Sequence, residues 1–84
     1  MTFQQIKEQD HMYVLPTYGR VDAALVKGQN ARAWDVDGKE YIDFTAGIGV
    51  NALGYSDPEW AAAVAQQAGK IQHLCNYYYS PENT

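Results

Sequence analysis

The stretch Trp34-Asp35-Val36-Asp37-Gly38-Lys39-Glu40-Tyr41-Ile42-Asp43-Phe44 decides the fold that this sequence predicts. Asp37-Gly38 is a strong hairpin signal, because a type I′ turn needs a positive φ at both central positions. The residues on either side alternate in character, as expected of β-strands. The predicted faces are Arg32, Trp34 and Val36 in the first strand, and Ile42 with Phe44 opposite Tyr41 with Asp43 in the second.

A further short strand precedes this hairpin. Ala24-Leu25-Val26-Lys27 has the composition of a strand, and Gly28-Gln29-Asn30 is a turn before the next strand begins at Ala31. Residues 23–44 are therefore predicted to form a three-stranded antiparallel meander.

Residues 1–22 are predicted to form a short N-terminal helix followed by an extended arm. Thr2 and Gln5 fit a capping box at the start of a helix that runs to about Tyr13. Pro16 and Gly19 indicate that the chain beyond this helix is extended or looped.

Residues 45–56 form a glycine-rich loop, in which Gly47, Gly49 and Gly54 predict backbone that turns sharply or approaches another group closely. The third glycine comes too late for a G-x-G-x-x-G dinucleotide pattern, and no Gly-Lys-Ser/Thr follows for a phosphate loop. On turn chemistry alone, a loop that needs glycine for its own path is the more frequent explanation.

Residues 57–72 are predicted to form an amphipathic helix. Asp57 suits the N-cap and Pro58 suits the first helical position. An apolar stripe, more typical of packing than of binding, is formed by Trp60, Val64, Ala68 and Ile71.

Residues 73–84 form a tail that ends on a second helix-start signal. Ser80-Pro81-Glu82 repeats the order of Asp57-Pro58-Glu59, namely a capping residue, a proline and a glutamate. We therefore expect the chain to be truncated before a next helix, and the three tyrosines at 77–79 to need a partner surface.

The composition is poor in large aliphatic side chains. Hydrophobic residues make up 46% of the 84 residues, but 11 of them are Ala and 7 are Tyr. Leu, Ile, Val and Phe together number only 16. A chain this short has little apolar surface to bury, so it is a doubtful independent folder.

Charge and cysteine content exclude several classes of protein. Six basic residues against ten acidic ones argue against nucleic acid as a partner. No apolar run approaches the roughly 20 residues of a membrane span, and the N-terminus lacks a signal-peptide pattern. The single cysteine cannot form an internal disulfide, and no clustered His/Cys set suggests zinc. A cytoplasmic location is expected.

Residues 18–79 resemble the N-terminal segment of the class III aminotransferases, which depend on pyridoxal phosphate (PLP). The similarity is greatest to the acetylornithine aminotransferase subfamily. The matching pieces, in the family's order and spacing, are Tyr18-Gly19-Arg20, Ala24-Leu25-Val26-Lys27-Gly28, Trp34 to Phe44, Gly47-Ile48-Gly49-Val50-Asn51-Ala52-Leu53-Gly54 and His73-Leu74-Cys75-Asn76.

Two departures from the family pattern leave room for a shifted substrate preference. The family usually reads Gly-His-x-His-Pro before the helix, whereas this chain reads Gly54-Tyr55-Ser56-Asp57-Pro58. The family often has Ser before the Asn of the tail, where this chain has Cys75.

The resemblance implies an α+β fragment that is part of the small domain of a fold-type I PLP enzyme. Family members are several times longer, so it also implies that the lysine that binds PLP lies outside these residues. No catalytic, cofactor-binding or metal-binding residue is therefore expected here, and the chain alone is expected to be inactive. The lysines that it does contain, none within a pocket motif, are Lys7, Lys27, Lys39 and Lys70.

The resemblance also implies a substrate pocket. Tyr18 stands where relatives contact the substrate with a tyrosine. Gly47, followed by Ile48, stands where ornithine δ-aminotransferases carry a bulky aromatic, and a small residue there leaves space for an N-acyl group. Arg20 is a possible bidentate partner for a carboxylate, and a solvated loop arginine is an equally frequent alternative.

Asn76 and Tyr78 are expected at the interface of a homodimer. The implied reaction moves an amino group between N-acetylornithine, or a similar ω-amine, and 2-oxoglutarate in arginine biosynthesis. The implied partners are thus a small amino-acid substrate, the rest of the enzyme chain and a second subunit. Two alternatives stay open: a small non-catalytic interaction or dimerisation module, and a class III aminotransferase with another ω-amine substrate.

Overall fold

A computed structural model describes residues 1–84 and shows an antiparallel sheet with helical segments before and after it. The elements in chain order are helix α1 (Phe3–Tyr13), strands β1 (Leu25–Gln29), β2 (Arg32–Asp35) and β3 (Glu40–Ile42), the short turn α2 (Ala46–Gly49), helix α3 (Pro58–Ala68) and a 3₁₀ turn (Pro81–Asn83). The predicted α+β arrangement of helix, three strands, glycine-rich loop and second helix is confirmed.

The sheet has the strand order β1-β2-β3, with both neighbouring pairs antiparallel. Gly28 lies opposite Ala33, and Arg32 lies opposite Ile42. The register of β1 shifts at Val26, which has no partner between the pairs made by Leu25 and Lys27. An extra residue of this kind bends the strand and increases its twist.

The β2–β3 connection is a hairpin, but its turn is not of type I′. The Gly38 N–H donates to the Asp35 carbonyl at 3.0 Å, and only Gly38 has a positive φ, of 83°. The type I′ turn predicted for Asp37-Gly38 is therefore wrong. The connection is longer than two residues, and such hairpins commonly end on one left-handed glycine.

The Asp35 carboxylate closes this hairpin from inside. Its Oδ1 accepts hydrogen bonds from the backbone N–H groups of Asp37 and Lys39, both at 2.9 Å, and its Oδ2 accepts one from the Tyr41 hydroxyl at 2.9 Å. Burial by itself raises the pKa of Asp35, but these donors outweigh it and lower the pKa below its ordinary value. The hydrogen bonds of the hairpin thus favour the ionised form of Asp35.

Helix α1 begins at the predicted capping box. The Gln5 N–H donates to Thr2 Oγ1 at 3.2 Å, and the Thr2 N–H donates to Gln5 Oε1 at 2.9 Å. Two ion pairs, Lys7 with Asp22 and Arg20 with Asp10, join this helix to the extended arm that follows it.

Helix α3 begins at the predicted N-cap, where Asp57 Oδ2 accepts a hydrogen bond from the Trp60 N–H at 2.9 Å. The helix ends at Ala68, before the end of the predicted range 57–72, and Gly69 is its C-cap. Glycine disfavours helix because it loses the most backbone freedom on ordering, which explains the earlier end. Ile71 of the predicted stripe consequently lies outside the helix.

Very little of the chain is buried. Only Ala33 and Asp35, at 2% and 9% exposure, count as buried, and the helical stripe residues Trp60 and Val64 remain 59% and 48% exposed. The accessible surface is 7713 Å², against about 5,000 Å² for a compact protein of this mass. The radius of gyration is 17.2 Å, against about 12 Å for a compact domain of 84 residues. The strands are the only elements that pack on one another, and none of the helices is long and apolar enough to cross a membrane.

We expect the isolated 84-residue chain to unfold without a cooperative heat-absorption peak, because two buried residues cannot offset the entropy of ordering the chain. Differential scanning calorimetry measures this. A single sharp transition from a monomeric sample would contradict the expectation.

Candidate functional site

The candidate site is built at the end of β3, where Asp43 anchors the following turn. Asp43 Oδ1 accepts hydrogen bonds from the Thr45 N–H at 2.8 Å, the Thr45 hydroxyl at 2.8 Å and the Ala46 N–H at 3.1 Å. Aspartate favours this arrangement because its short side chain bonds to backbone groups two and three residues further on. The carboxylate therefore fixes the direction in which the chain leaves the sheet.

The turn that follows, α2, is left-handed. Four successive residues have positive φ values, namely Ala46 at 50°, Gly47 at 62°, Ile48 at 62° and Gly49 at 78°. The Thr45 carbonyl accepts hydrogen bonds from the N–H groups of Ile48 at 2.9 Å and Gly49 at 3.1 Å. The left-handed helical conformation costs roughly 1–2 kcal/mol for each residue with a Cβ. Ala46 and Ile48 both carry this cost, and such strain is concentrated at functional sites.

Tyr55 connects this turn to the sheet. Its backbone N–H and C=O pair with the C=O and N–H of Asn30, at 2.8 and 3.0 Å. Its ring lies directly over Gly28, where an added Cβ would be 2.4 Å from Tyr55 Cγ. The Ser56 hydroxyl donates to the Gly28 carbonyl at 2.8 Å. Gly28 is thus required for close approach, and the loop is pinned against the β1–β2 end of the sheet.

The Tyr55 side chain also interacts with the Asp43 carboxylate. This contact, together with the donors from Thr45 and Ala46, lowers the pKa of Asp43 from 3.8 to about 2. The same contact raises the pKa of Tyr55 above its ordinary value. The pair therefore stays in one protonation state, carboxylate and phenol, throughout the neutral range.

The structure places the residues predicted for the substrate pocket on two separate segments. Tyr18, which is 83% exposed, and Arg20 line a cavity of about 500 Å³ between α1 and the extended arm. Gly47 and Ile48 lie in α2, where the Ile48 side chain is 96% exposed. No residue of α2 lines the cavity beside Tyr18.

The residues predicted for an interface lie in the tail. Asn76 is exposed, and Tyr78, at 70% exposure, donates its N–H to the Cys75 carbonyl at 3.2 Å. Tyr77 and Tyr79 are 93% and 104% exposed. The three consecutive tyrosines are therefore largely uncovered within the described residues.

The roles of Asp43, Tyr55 and Gly28 were not predicted from the sequence. The spacing of Asp43 and Thr45 is a signal for a side-chain-capped turn that could have been recognised. Nothing local indicated that the Tyr55 ring would lie over Gly28, because this contact joins positions that are far apart in the chain.

The described residues contain no cluster of metal-ligating side chains, and three of the four lysines have a partner within the chain. No group of three or more His, Cys, Asp and Glu side chains is arranged to bind a metal. Lys7 is paired with Asp22 at 2.8 Å, while the Lys27 and Lys39 ammonium groups lie over the rings of Trp34 and Tyr41 at 4.9 and 5.1 Å. Lys7 lines the cavity between α1 and the extended arm together with Asp10 and Asp22.

The backbone arrangement is that of the PLP aminotransferases. An ornithine aminotransferase from Toxoplasma gondii, solved with PLP at partial occupancy in its active site, matches with a TM-score of 0.90 and 32% identity. The match covers 94% of this chain and 18% of that one.

Sequence comparison identifies the family within the PLP aminotransferases. The acetylornithine aminotransferase of Haemophilus ducreyi is 49% identical over 80 residues, which is 95% of this chain and 20% of that protein. The acetylornithine aminotransferase of Bifidobacterium longum is 54% identical over 72 residues, 86% of this chain and 16% of that protein. The family model of aminotransferase class-III matches residues 13–84, and the chain belongs to this family. It spans about a fifth of the length of the curated relatives that it matches.

Replacing Gly28 with Ala should loosen the Tyr55 loop in a complete aminotransferase that carries this segment. The new Cβ would collide with the Tyr55 ring, and overpacking of this kind costs about 1–3 kcal/mol. Hydrogen exchange at the Asn30 and Tyr55 amides measures the change. Gly19→Ala is the matched control, because a Cβ at position 19 meets nothing within 4 Å. Equal exchange in the two variants would contradict the close contact.

The contribution of Asp43 to stability should be lost in acid. Its folded-state pKa of about 2 lies below the ordinary 3.8, so the unfolded state binds more protons between these values. The contribution is therefore complete above 3.8 and disappears as the pH falls through the folded-state pKa. Carbon NMR of the Asp43 carboxyl, with Asp43→Asn to assign the signal, measures this titration. Titration at the ordinary value would show that the turn does not hold the carboxylate.

Proposed function

We propose that this chain is a segment of an acetylornithine aminotransferase, which moves an amino group between N-acetylornithine and 2-oxoglutarate in arginine biosynthesis. The observation that carries this proposal is the sequence similarity: both acetylornithine aminotransferases described above share more residues with this chain than the ornithine aminotransferase does. The alternative is a class III aminotransferase that carries out the same type of reaction on another ω-amine.

Gly47 supports the choice of an acylated substrate. By resemblance, its position belongs to the wall of the substrate pocket, and glycine leaves the volume that an N-acyl group requires. An added Cβ at this position would lie 3.2 Å from Asn51 Nδ2, so even alanine would press on a neighbour. The exposed side chain of Ile48 beside it would supply apolar contact to the substrate.

Tyr18 and Arg20 would approach the substrate from the extended arm. The Arg20 guanidinium already donates from Nη1 to Asp10 Oδ1, but it has five N–H donors in all. It can therefore hold a substrate carboxylate while it keeps the pair with Asp10. In this arrangement the ion pair orients Arg20, and the substrate uses the donors that remain.

The cofactor would be held by other parts of the complete enzyme. When bound, PLP supplies the electron sink for amino-group transfer. Lys7, Lys27 and Lys39 each have a partner for the amine within this segment, which supports a cofactor lysine elsewhere in the enzyme. This segment would shape the entrance to the site, and by itself it would be inactive.

The exposed apolar surface supports a role at an interface. Phe44 and the tyrosines at 77–79 have few contacts within the chain. In the complete enzyme, as part of its small domain, these residues would pack on the large domain and on the second subunit of a homodimer, with Asn76 and Tyr78 at the subunit contact. The single free cysteine, Cys75, is compatible with a reducing cytoplasm.

Gly47→Tyr in the complete enzyme should shift preference from N-acetylornithine to ornithine. The aromatic ring would fill the space proposed for the acyl group, and a lost fit of this kind changes kcat/KM by roughly 10–200-fold. Steady-state kinetics with both amines and 2-oxoglutarate measure the ratio of the two kcat/KM values.

Gly49→Tyr provides the control. Position 49 has a φ of 78°, close to the 62° of position 47, so both variants impose the same left-handed backbone on a tyrosine. A Cβ at position 49 meets nothing within 4 Å. If both variants lower the two activities equally, Gly47 does not line the pocket. If the unmodified enzyme transfers no amino group from N-acetylornithine, the proposed function itself is wrong.

A further inference from the structure

Helix α1 faces the extended arm through one stripe of its surface. The half-buried residues of the helix are Phe3, Ile6, Lys7 and Asp10, which follow the i, i+3, i+4, i+7 spacing of a single helical face. These four residues line the same cavity as residues 20–24 of the arm. A helix of 11 residues is marginal by itself in water, so the contacts of this stripe contribute to where the helix lies.

The two charged residues of this stripe form ion pairs with the arm. Lys7 Nζ donates to Asp22 Oδ1 at 2.8 Å. Arg20 donates from Nη1 to Asp10 Oδ1. The order of the partners is crossed, because the earlier helix residue pairs with the later arm residue. The arm therefore runs antiparallel to α1 at this point.

The charge pattern of the four residues favours this direction of the arm. In chain order they are a cation, an anion, a cation and an anion. An antiparallel approach brings each cation to an anion. A parallel approach would place Lys7 beside Arg20 and Asp10 beside Asp22, and like charges side by side are unfavourable. Because all four charges lie within the chain, this preference belongs to the segment itself.

The arm held by these pairs carries two of the residues predicted for the substrate pocket, Tyr18 and Arg20. Both line the cavity next to α1. An arginine recognises a carboxylate through a planar fork, which must have a defined orientation for two N–H groups to meet two oxygens. A long side chain that is already ordered loses less conformational freedom on binding, so a preorganised Arg20 binds a carboxylate more tightly.

We propose that Lys7 and Asp10 are positioning residues, which hold the arm against α1 so that the side chains of the arm meet the carboxylate of the amino-acid substrate. This inference rests on the proposed function, since it takes Tyr18 and Arg20 to contact the substrate. Lys7 does not touch the substrate. It acts through Asp22, which lies two residues beyond Arg20 in the arm.

The test uses the complete enzyme that carries this segment and two amino donors that differ only in the carboxylate, N-acetylornithine and N-acetyl-1,4-diaminobutane. The ratio of their kcat/KM values measures recognition of the carboxylate. Lys7→Asp places two aspartates side by side and should lower this ratio about fivefold, as for the loss of order in one long side chain. A purely structural role would lower both kcat/KM values equally and leave the ratio unchanged, which would overturn the inference.

Exchanging the two charges tests the pair itself. The double variant Lys7→Asp/Asp22→Lys restores an ion pair of reversed polarity, and the ratio should return to that of the unmodified enzyme. If the ratio stays low in the double variant, the loss comes from the altered side chains and not from the pair, and the inference is wrong.

Arg32→Glu is the matched control. It reverses one charge of another exposed ion pair, in which Arg32 Nη1 lies 3.1 Å from Glu40 Oε1, and it changes the net charge by the same amount as Lys7→Asp. This variant should leave the ratio unchanged. A loss equal to that in Lys7→Asp would mean that the overall charge, and not the position of the arm, causes the effect.

A second measurement follows the helix and the arm directly. Hydrogen exchange across residues 3–24 includes the Val14 and Ala23 amides, which donate to the Asp10 and Val21 carbonyls. Exchange should become faster in Lys7→Asp, return to the original rate in the double variant and stay unchanged in Arg32→Glu. Unchanged exchange in Lys7→Asp overturns the inference whatever the kinetics show, and so does faster exchange with an unchanged ratio.

A last variant separates this inference from the proposed function. Arg20→Gln should lower the ratio at least as much as Lys7→Asp, because it removes the proposed carboxylate contact itself. If it does not, the contact assigned to Arg20 fails and the inference fails with it. Amino-group transfer from N-acetylornithine by the unmodified enzyme would still support the proposed function in that case.

Discussion

The buried Asp35 carboxylate is the interaction on which the rest of this structure depends. It is one of two buried residues, and it collects two backbone donors and the Tyr41 hydroxyl within the β2–β3 hairpin. These bonds fix where β3 begins and how it pairs with β2. The end of β3 then determines where Asp43 stands, and Asp43 determines the direction of the left-handed turn. Asp35 at the end of β2 and Asp43 directly after β3 thus organise the chain from the hairpin to the candidate site.

The chain forms many hydrogen bonds but buries little apolar surface. The hydrogen bonds of the hairpin, the helix caps and the Tyr55 loop are all local or bridge two neighbouring segments. The apolar side chains of α3, α2 and the tail stay exposed, and apolar surface on this scale is usually covered by other protein. This contrast agrees with the comparisons, in which the chain spans about a fifth of its relatives. Both the strained turn and the exposed apolar surface are explained if they face other parts of a larger enzyme.

Features with a local physical cause were predicted well from the sequence. The capping box at Thr2 and the N-cap at Asp57 are confirmed, because a cap needs only a side chain and backbone groups two or three residues away. The hairpin at Asp37-Gly38 is confirmed for the same reason. Its turn type was wrong, because the positive φ falls on Gly38 alone and the length of the connection depends on the register of both strands. Helix α3 was predicted to extend to residue 72 because the apolar stripe continues past Gly69. In the structure the helix ends at Ala68, with Gly69 as its C-cap.

By itself, the sequence determined the kinds of elements, their order, the meander and the resemblance to class III aminotransferases, since these depend on periodicity, caps and short motifs. Only the tertiary structure decided that Tyr55 lies over Gly28, and that Ala46 to Gly49 form a left-handed turn. The reason is physical. Gly28 and Tyr55 are 27 positions apart in the chain, and no local pattern specifies which glycine a ring will cover. The conformation of Ala46 and Ile48 opposes their own preference, so it arises only where contacts from outside the turn impose it.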